Sequence, residues 1–448
     1  MAGVPLIVGD SVPVFSADLL ESILRRWPVP ARLWIAYSGG CDSHVLLHAC
    51  ARIRDAMAIP LRAIHIDHGL HPQSHAWSMH CRVVCAALDV PLSSRRVDLE
   101  PKAGESLEAQ ARDVRYRTFA DLLAPGDAVA TAQHLDDQAE TLLLALLRGS
   151  GVHGLAAMSA RSPLGPGHLL RPLLELERAA LMTYAERHGL DWIEDPANAV
   201  LAFDRNRLRH QILPLLRERW PAAARTISRS AAHCAEAADL LDAVADERLP
   251  AITGTRPGTL SVTALARLDT GHARLLLRRW LRGGGFRAPS SARLKRILVD
   301  VLHARPDSTP LVAWEGCEVR RYRDDLFALS PLPLAPSGNL SWAPASVLKL
   351  PAGLGRLEWS GSEPLPASTL AVTFGGSGHR CLAQGRPRRP LGKLFQEAGI
   401  PSWLRRLVPR LTEPEGTLRL VPGVCGCGIP EKSVRWRGHP WERFGWFD

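Results

Sequence analysis

Short apolar runs alternate with amphipathic stretches through the first half of the chain. Residues 33–37, 61–66, 92–97 and 127–131 are brief, largely apolar runs that predict strands. Between them lie stretches of helical period. One starts after Gly40 with Val45, Leu46, Leu47 and Ala49, and the next covers residues 76–88. A third covers 106–123, with Leu107, Val114, Phe119 and Leu122 on its buried side, and a fourth 134–148. A leading helix places Leu19, Leu20, Ile23 and Leu24 on one face, and Pro28 and Pro30 end it. Strands that alternate with helices predict an α/β fold with a parallel, doubly wound sheet.

The pattern then changes. Residues 159–167 are polar and punctuated by Gly and Pro, which reads as an exposed loop, and helical period returns at 176–188 and 205–218. Residues 221–303 are rich in Ala, Leu and Arg and helical in period, with breaks at 250–259 and at Gly283-Gly284-Gly285. A Pro-rich join at 331–344 precedes short strand-like runs and one helix near 391–398. The expected organisation is a catalytic α/β domain at 1–218, a helical domain at 219–335 and a small α+β domain at 345–448.

Composition narrows the class only slightly. Hydrophobic residues make up 46% and charged residues 22% of 448, as in a folded soluble chain. The net charge of +10 is carried mostly by arginine, which suits bidentate phosphate contacts but equally fits an Arg-for-Lys bias. The cysteine count is odd, at nine, and no basic-apolar segment leads the chain. Reduced thiols and a cytoplasmic address follow as expectations. Cys81 and Cys85 lie one helical turn apart, and Cys425 and Cys427 flank a glycine. Neither pair has zinc or iron–sulfur spacing, so both read as buried or incidental thiols. No apolar run is long enough to span a bilayer.

Chemistry enters at Ser38-Gly39-Gly40-Cys41-Asp42-Ser43, which joins the first strand to its helix. A Gly-rich turn opening a helix offers backbone N–H groups and a positive dipole end to a phosphate. Ser38 and Ser43 add hydroxyl donors. No lysine follows the glycines, so this is not the Gly-Lys-Ser/Thr P-loop. Asp42 beside a triphosphate calls for a divalent cation between them; the alternative is an ordinary serine-glycine turn with Asp42 as a helix cap.

The second stretch, His134-Leu135-Asp136-Asp137-Gln138-Ala139-Glu140-Thr141, follows the strand at 127–131. On a helix, His134, Asp137 and Glu140 recur at intervals of three, within reach of the sheet edge that carries the Ser38–Ser43 loop. Such acids can hold Mg²⁺ or an ammonium group, or simply complement the helix dipole. Arg112 and Arg115 flank one face of the helix before it, and Glu194-Asp195-Pro196-Ala197-Asn198 forms a turn ahead of Arg205, Arg207 and Arg209.

In order, the motifs are Ser-Gly-Gly-x-Asp-Ser, Ile-Asp-His-Gly-Leu, Glu-Ala-Gln-Ala-Arg with Arg-Tyr, His-x-Asp-Asp-Gln-x-Glu-Thr, Arg171-Pro172-Leu173-Leu174, Glu-Asp-Pro-x-Asn and Arg-Asn-x-Leu-Arg. A C-terminal stretch runs from Leu391 through Lys393, Phe395 and Gly399 to Trp403-Leu404-Arg405. This series resembles the tRNA(Ile)-lysidine synthetases, within the PP-loop ATP pyrophosphatase superfamily, over nearly the whole chain. Ala197 stands where that family usually has serine. The resemblance implies ATP and Mg²⁺ as cofactors, and a tRNA(Ile) with a CAU anticodon and free L-lysine as partners, with no role for membrane or DNA. It places ATP on Ser38, Gly39, Gly40, Cys41, Asp42 and Ser43, with the metal on Asp42. It makes Asp42, Arg112, His134 and Asp137 catalytic, puts lysine on Asp137 and Glu140, and puts tRNA on Arg205, Arg207, Arg388, Arg389, Lys393 and Arg405. Arg386, Arg406 and Arg410 extend the same basic patches.

The nearest rival on the same fold is a tRNA 2-thiolation enzyme, which needs catalytic cysteines or Cys-x-x-Cys ligands, and no Cys-x-x-Cys occurs in the sequence. An amidotransferase-coupled relative would want a cysteine at the start, where the chain reads Met1-Ala2-Gly3. A non-catalytic tRNA-binding module would keep the basic patches without needing His134, Asp137 and Glu140 near a phosphate loop.

Overall fold

The computed structural model describes residues 14–69, 71–97, 107–305, 308–361, 369–375, 380–381 and 389–447. The chain divides into two compact units, residues 1–240 and 241–448.

In the first unit, β1 (Leu33–Ala36) pairs in parallel with β2 (Leu61–Asp67) on one side and β4 (Ala128–Ala130) on the other; β3 (Leu92–Arg96) lies beyond β2. The β5 strand (Arg161–Leu164) and β6 (Gly167–Leu170) complete the order β3-β2-β1-β4-β6-β5, with only β5 antiparallel. The loop expected at 159–167 is therefore a tight hairpin. A Cβ on Gly167 would sit 2.4 Å from the Asp127 carbonyl oxygen, so glycine lets β6 close against the sheet.

Alternation along β1 explains the two-faced burial. Leu33 and Ile35 enter one core with residues of α1 (Ala17–Leu24), α2 (Cys41–Met57), α3 (Ser74–Ala87) and the later Leu181 and Tyr184. Trp34 enters the opposite core with Ile64, Val129 and, from α4 (Leu107–Leu122), Phe119. Strand order reverses at β1, since the chain steps to β2 on one side and reaches β4 on the other. Ligands of open α/β sheets bind at such a switch point, outside the carboxyl ends of the strands. The β1–α2 loop and the segment between β4 and α5 (Leu135–Leu147) both emerge there.

After α6 (Val152–Leu155) and α7 (Arg178–Arg187), the stretch expected as one helix at 205–218 is broken into α8 (Asp204–Arg207), a π turn Leu208–Ile212 and α9 (Leu213–Arg219). Pro214 supplies the cause: it lacks an N–H and cannot continue an i→i−4 ladder. Helix α10 (Ala223–Arg248) follows.

In the second unit, α11 (Val262–Ala266), α12 (Thr270–Gly283) and α13 (Ser291–Arg296) pack with an antiparallel sheet. Its strands are β7 (Leu260–Ser261), β8 (Leu311–Trp314), β9 (Cys317–Tyr322) and β10 (Asp325–Leu329), in the order β7-β10-β9-β8. The segment read as helical thus also builds a sheet, because residues 311–329 fall beyond its periodic run. The remaining strands are β11 (Leu340–Trp342), β12 (Leu348–Lys349), β13 (Arg356–Trp359), β14 (Leu370–Thr373), β15 (Arg380–Cys381), β16 (Arg389–Pro390), β17 (Arg410–Thr412), β18 (Leu418–Val421), β19 (Cys425–Gly426) and β20 (Val434–Arg437), with α14 (Leu391–Glu397) between β16 and β17. They form sheets ordered β11-β14-β17-β18-β19, β12-β13-β20 and β15-β16 around Trp342, Phe395, Trp436, Trp441 and Phe444. The expected Pro-rich join thus contributes β11 and the buried Trp342. A disulfide joins Cys381 to Cys427, against the expectation of reduced thiols throughout.

Candidate active site

The glycine turn after β1 is held by its own hydroxyls. Ser43 Oγ donates to the Gly40 carbonyl at 2.9 Å, accepts from the Ser38 N–H at 3.2 Å and lies 3.0 Å from Ser38 Oγ. Gly39 has φ +88°, a left-handed conformation that glycine takes at little cost. Its carbonyl accepts from Ile193 N–H at 2.9 Å, tying the turn to the Trp192–Asn198 segment. Intrahelical bonding in α2 begins with His44 N–H to Gly40 O, so the amides of Cys41, Asp42 and Ser43 precede it. These three residues, with Ser38 and Gly40, line a cleft of about 640 Å³. Ile64, Ile66 and Phe119 give it an apolar wall, and Arg115, Asp137, Arg178 and Arg209 bring charge to it.

The acid helix meets this turn through His134. That residue is not in the helix but caps it in extended conformation, its backbone N–H donating to Asp137 Oδ2 at 3.0 Å. Its ring is buried, with Nε2 at 3.6 Å from Asp42 Oδ2 and 3.4 Å from Asp137 Oδ2. Burial opposes ionisation of Asp42, yet the His134 contact and the Arg178 and Arg209 charges outweigh it and hold the carboxyl below its ordinary value. Asp42 Oδ1 is buried without a hydrogen-bond donor among the described residues, and Arg178 Nε stands 3.6 Å away. A carboxylate oxygen left open beside a phosphate-type turn fits a hard divalent cation.

Glu140 departs from the sequence reading. It is fully buried, and its two oxygens are occupied: Oε2 accepts from Arg205 Nε at 2.8 Å and Oε1 from Arg209 Nε at 2.7 Å. Unlike Asp137, it does not line the cleft. Arg205, expected on tRNA, is instead drawn inward onto Glu140 and 21% exposed. Arg209 also donates from Nη2 to Asp137 Oδ1 at 2.8 Å. Burial lowers its proton affinity, but the Glu140 hydrogen bond and the Glu140, Asp137 and Asp42 charges raise it above the ordinary arginine value. Asp136, beside the cluster, accepts from Arg178 N–H at 3.1 Å and pairs with Arg217.

Arg112 also differs from expectation. It is not on the cleft wall; it stacks on the Tyr116 ring at 5.5 Å, while Arg115 and Tyr116 line the cleft. Burial would raise the Tyr116 phenol, but the Arg171 and Arg112 charges bring it below its usual value. Among the expected tRNA contacts, Arg207 and Lys393 are exposed. Arg389 bonds Glu397 at 2.8 Å, and half-buried Arg405 donates to the Ile400 carbonyl at 3.0 Å. Arg410 is only 4% exposed and is no surface contact, while Arg386 and Arg388 lie outside the described residues.

Residues 16–216 match the model of the PP-loop domain, 260–327 that of the TilS substrate binding domain and 370–437 that of the TilS substrate C-terminal domain. A tRNA(Ile)-lysidine synthase of Alkalilimnicola ehrlichii is 47% identical over 419 residues, covering 91% of this chain and 93% of the relative. The chain belongs to the tRNA(Ile)-lysidine synthase family. The Coxiella burnetii tRNA(Ile)-lysidine synthase is 40% identical over 94% of this chain and 96% of its own length. A solved U34-tRNA thiolase from Methanococcus maripaludis aligns with 49% of this chain and 78% of its own at 15% identity, with a TM-score of 0.41. Arg209, in the sequence one of three arginines after the Glu-Asp-Pro turn, and Arg178, unmarked there, both belong to the cluster of Asp42, Asp137 and Glu140. Arg209 was discoverable, since it lies one helical turn beyond Arg205 and shares its carboxylate; nothing in the local pattern marks Arg178.

Proposed function

We propose that this chain joins the ε-amine of free L-lysine to C2 of the wobble cytidine of a tRNA(Ile) bearing a CAU anticodon, using ATP. In the first step the cytosine C2 oxygen bonds to the α-phosphorus of ATP, and the bond to the β-phosphate oxygen breaks, releasing pyrophosphate. In the second the lysine ε-nitrogen, having lost a proton, bonds to C2, and the C2–O bond breaks to release AMP. A base carbonyl oxygen is a poor leaving group and AMP a good one, which is why the nucleotide is needed. ATP use follows from the PP-loop domain.

Ser38, Gly40, Cys41 and Ser43 seat the phosphates, and Arg178 stands at their edge. Mg²⁺ at Asp42 Oδ1 would offset the triphosphate charge there. Asp137, on the cleft wall, is the carboxylate that meets the lysine ammonium; Glu140 acts behind it by holding Arg205 and Arg209. His134 spaces Asp42 from Asp137 and so links the two halves of the site. Arg112 acts through Tyr116. Arg207, Lys393 and Arg405, with Arg389 and Arg388, meet tRNA phosphates. A reaction that uses tRNA and ATP implies the cytoplasm as its place.

The observation that carries this reading is the His134 ring, within 3.6 Å of a carboxylate from each of two neighbouring strand-end segments. The test uses unmodified tRNA(Ile) with a CAU anticodon, ATP–Mg²⁺ and labelled lysine. Label should enter the tRNA only with lysine and ATP present, with one AMP and one pyrophosphate per lysine, and Asp42→Ala should abolish both. Sulfur transfer to the tRNA, or ADP as product, would overturn it.

A further inference from the structure

Three cysteines of the second unit converge on one another. Cys381 on β15, Cys425 on β19 and Cys427 just after it bring their sulfurs within 4.8 Å of one another. Cys381 and Cys425 are buried and Cys427 is half-buried. The grouping follows from strand geometry. Residues two apart in an extended segment project to the same face, so Cys425 and Cys427 present both sulfurs on one side. Gly426 between them is required, because a Cβ there would lie 2.2 Å from the Ile429 carbonyl oxygen. Cys381 arrives from 44 residues upstream, its Sγ 3.7 Å from the Gly426 carbonyl oxygen. A sequence scan by spacing sees only the Cys-Gly-Cys pair and misses the third member.

We propose that Cys381, Cys425 and Cys427 form a three-thiolate site for a zinc-class d¹⁰ cation, and that the Cys381–Cys427 disulfide is its oxidised, metal-free form. Chemistry on tRNA with ATP runs in compartments where cellular dithiols keep cysteines reduced, and clustered cysteines there more often bind metal than form disulfides. A dithiol reductant delivers two electrons and two protons to the disulfide, giving two thiols that join the Cys425 thiol. Zn–S bonds of about 2.3 Å in tetrahedral geometry set sulfurs about 3.8 Å apart, inside the observed grouping. Among the described residues no fourth side chain joins the set. Bound there, the cation ties β15, and through its pairing β16, to the β18–β19 edge. A plain disulfide makes no use of Cys425; a metal site needs it.

The experiment takes the full-length chain produced and kept under reducing, oxygen-free conditions. Elemental analysis should find one zinc per chain, and replacement by Co²⁺ should give the near-ultraviolet charge-transfer band of thiolate ligands. Both should be lost in Cys425→Ser. The proposal fails if zinc is absent and the denatured protein shows seven titratable thiols, the number left when one disulfide stands. It also fails if zinc survives Cys425→Ser. Should that variant not fold, the wild-type cobalt spectrum decides: a spectrum without the thiolate band overturns the site.

Discussion

Arg205 Nε donates to Glu140 Oε2 at 2.8 Å, which locks the segment after the Glu-Asp-Pro turn onto the helix after β4. Glu140 is wholly buried and also bound by Arg209, so its removal takes a carboxylate partner from two guanidinium groups, leaving Arg209 its Asp137 contact. Breaking a buried ion pair from one side costs about 3–5 kcal/mol. Glu140→Ala should therefore lower the unfolding free energy by about that amount, seen in a denaturant titration. Arg178→Ala, at 47% exposure, should leave that titration near wild type while reducing turnover.

Asp42→Asn keeps the shape of the turn and removes the charge. Turnover should fall by about 10²- to 10³-fold, the scale of losing one preorganised electrostatic contact. The dissociation constant for tRNA, measured by filter binding, should stay unchanged, because Asp42 lies at the strand-end turn and not on the basic surface.

At Gly39 the φ of +88° and the 2.7 Å approach of a Cβ to Ile193 Cδ1 act together. Ile193 can rotate away, so backbone strain dominates, at about 1–3 kcal/mol. Gly39→Ala should raise the KM for ATP more than that for lysine, measured by initial rates.

Lys393 is exposed on α14, whereas Arg389 beside it is already paired with Glu397. Lys393→Ala should reduce the slope of log affinity for tRNA against log salt by about one unit or slightly less, as for one lost phosphate contact. Arg389→Ala should change it by less. An unchanged slope in both variants would remove this helix from the tRNA surface.

His439 is buried against Trp436, with ring centroids 4.1 Å apart, and desolvation brings it down to about 4. Its value in the unfolded chain is about 6.5, so between these limits the unfolded state binds the extra proton. Stability should then be full above about pH 6.5 and fall as pH drops toward 4. His439→Leu should flatten that part of a melting-temperature profile.

The parallel sheet was legible because each strand is a short apolar run between amphipathic helices, and β1 buries both faces through Leu33, Trp34 and Ile35. The β5–β6 hairpin was not, since polar Arg161 and Ser162 and the Gly165–Gly167 turn carry no alternating pattern and pairing comes from the sheet edge. The π turn was hidden within a helical period, although Pro214 was a visible cause. In the site, motif order brought the Ser38–Ser43 turn and the His134–Glu140 helix to one edge. It did not show that Glu140 faces inward, because the sign of a side chain's partner is a tertiary fact: two arginines from a segment 65 and 69 residues away decide it. Cys381 escaped for the same reason.

Asp42, Asp137 and Glu140 stand against Arg178, Arg205 and Arg209, so within this ion-paired cluster the charges offset one another, while Arg115, Glu194 and Asp195 also line the cleft. On the proposed function, such a paired cluster has little surplus pull on lysine, which carries a net positive charge. A nucleotide would bring negative charge to it, so lysine should bind more tightly after ATP and the base than before them. Equilibrium dialysis should accordingly detect retained lysine only when nucleotide and tRNA are already in place.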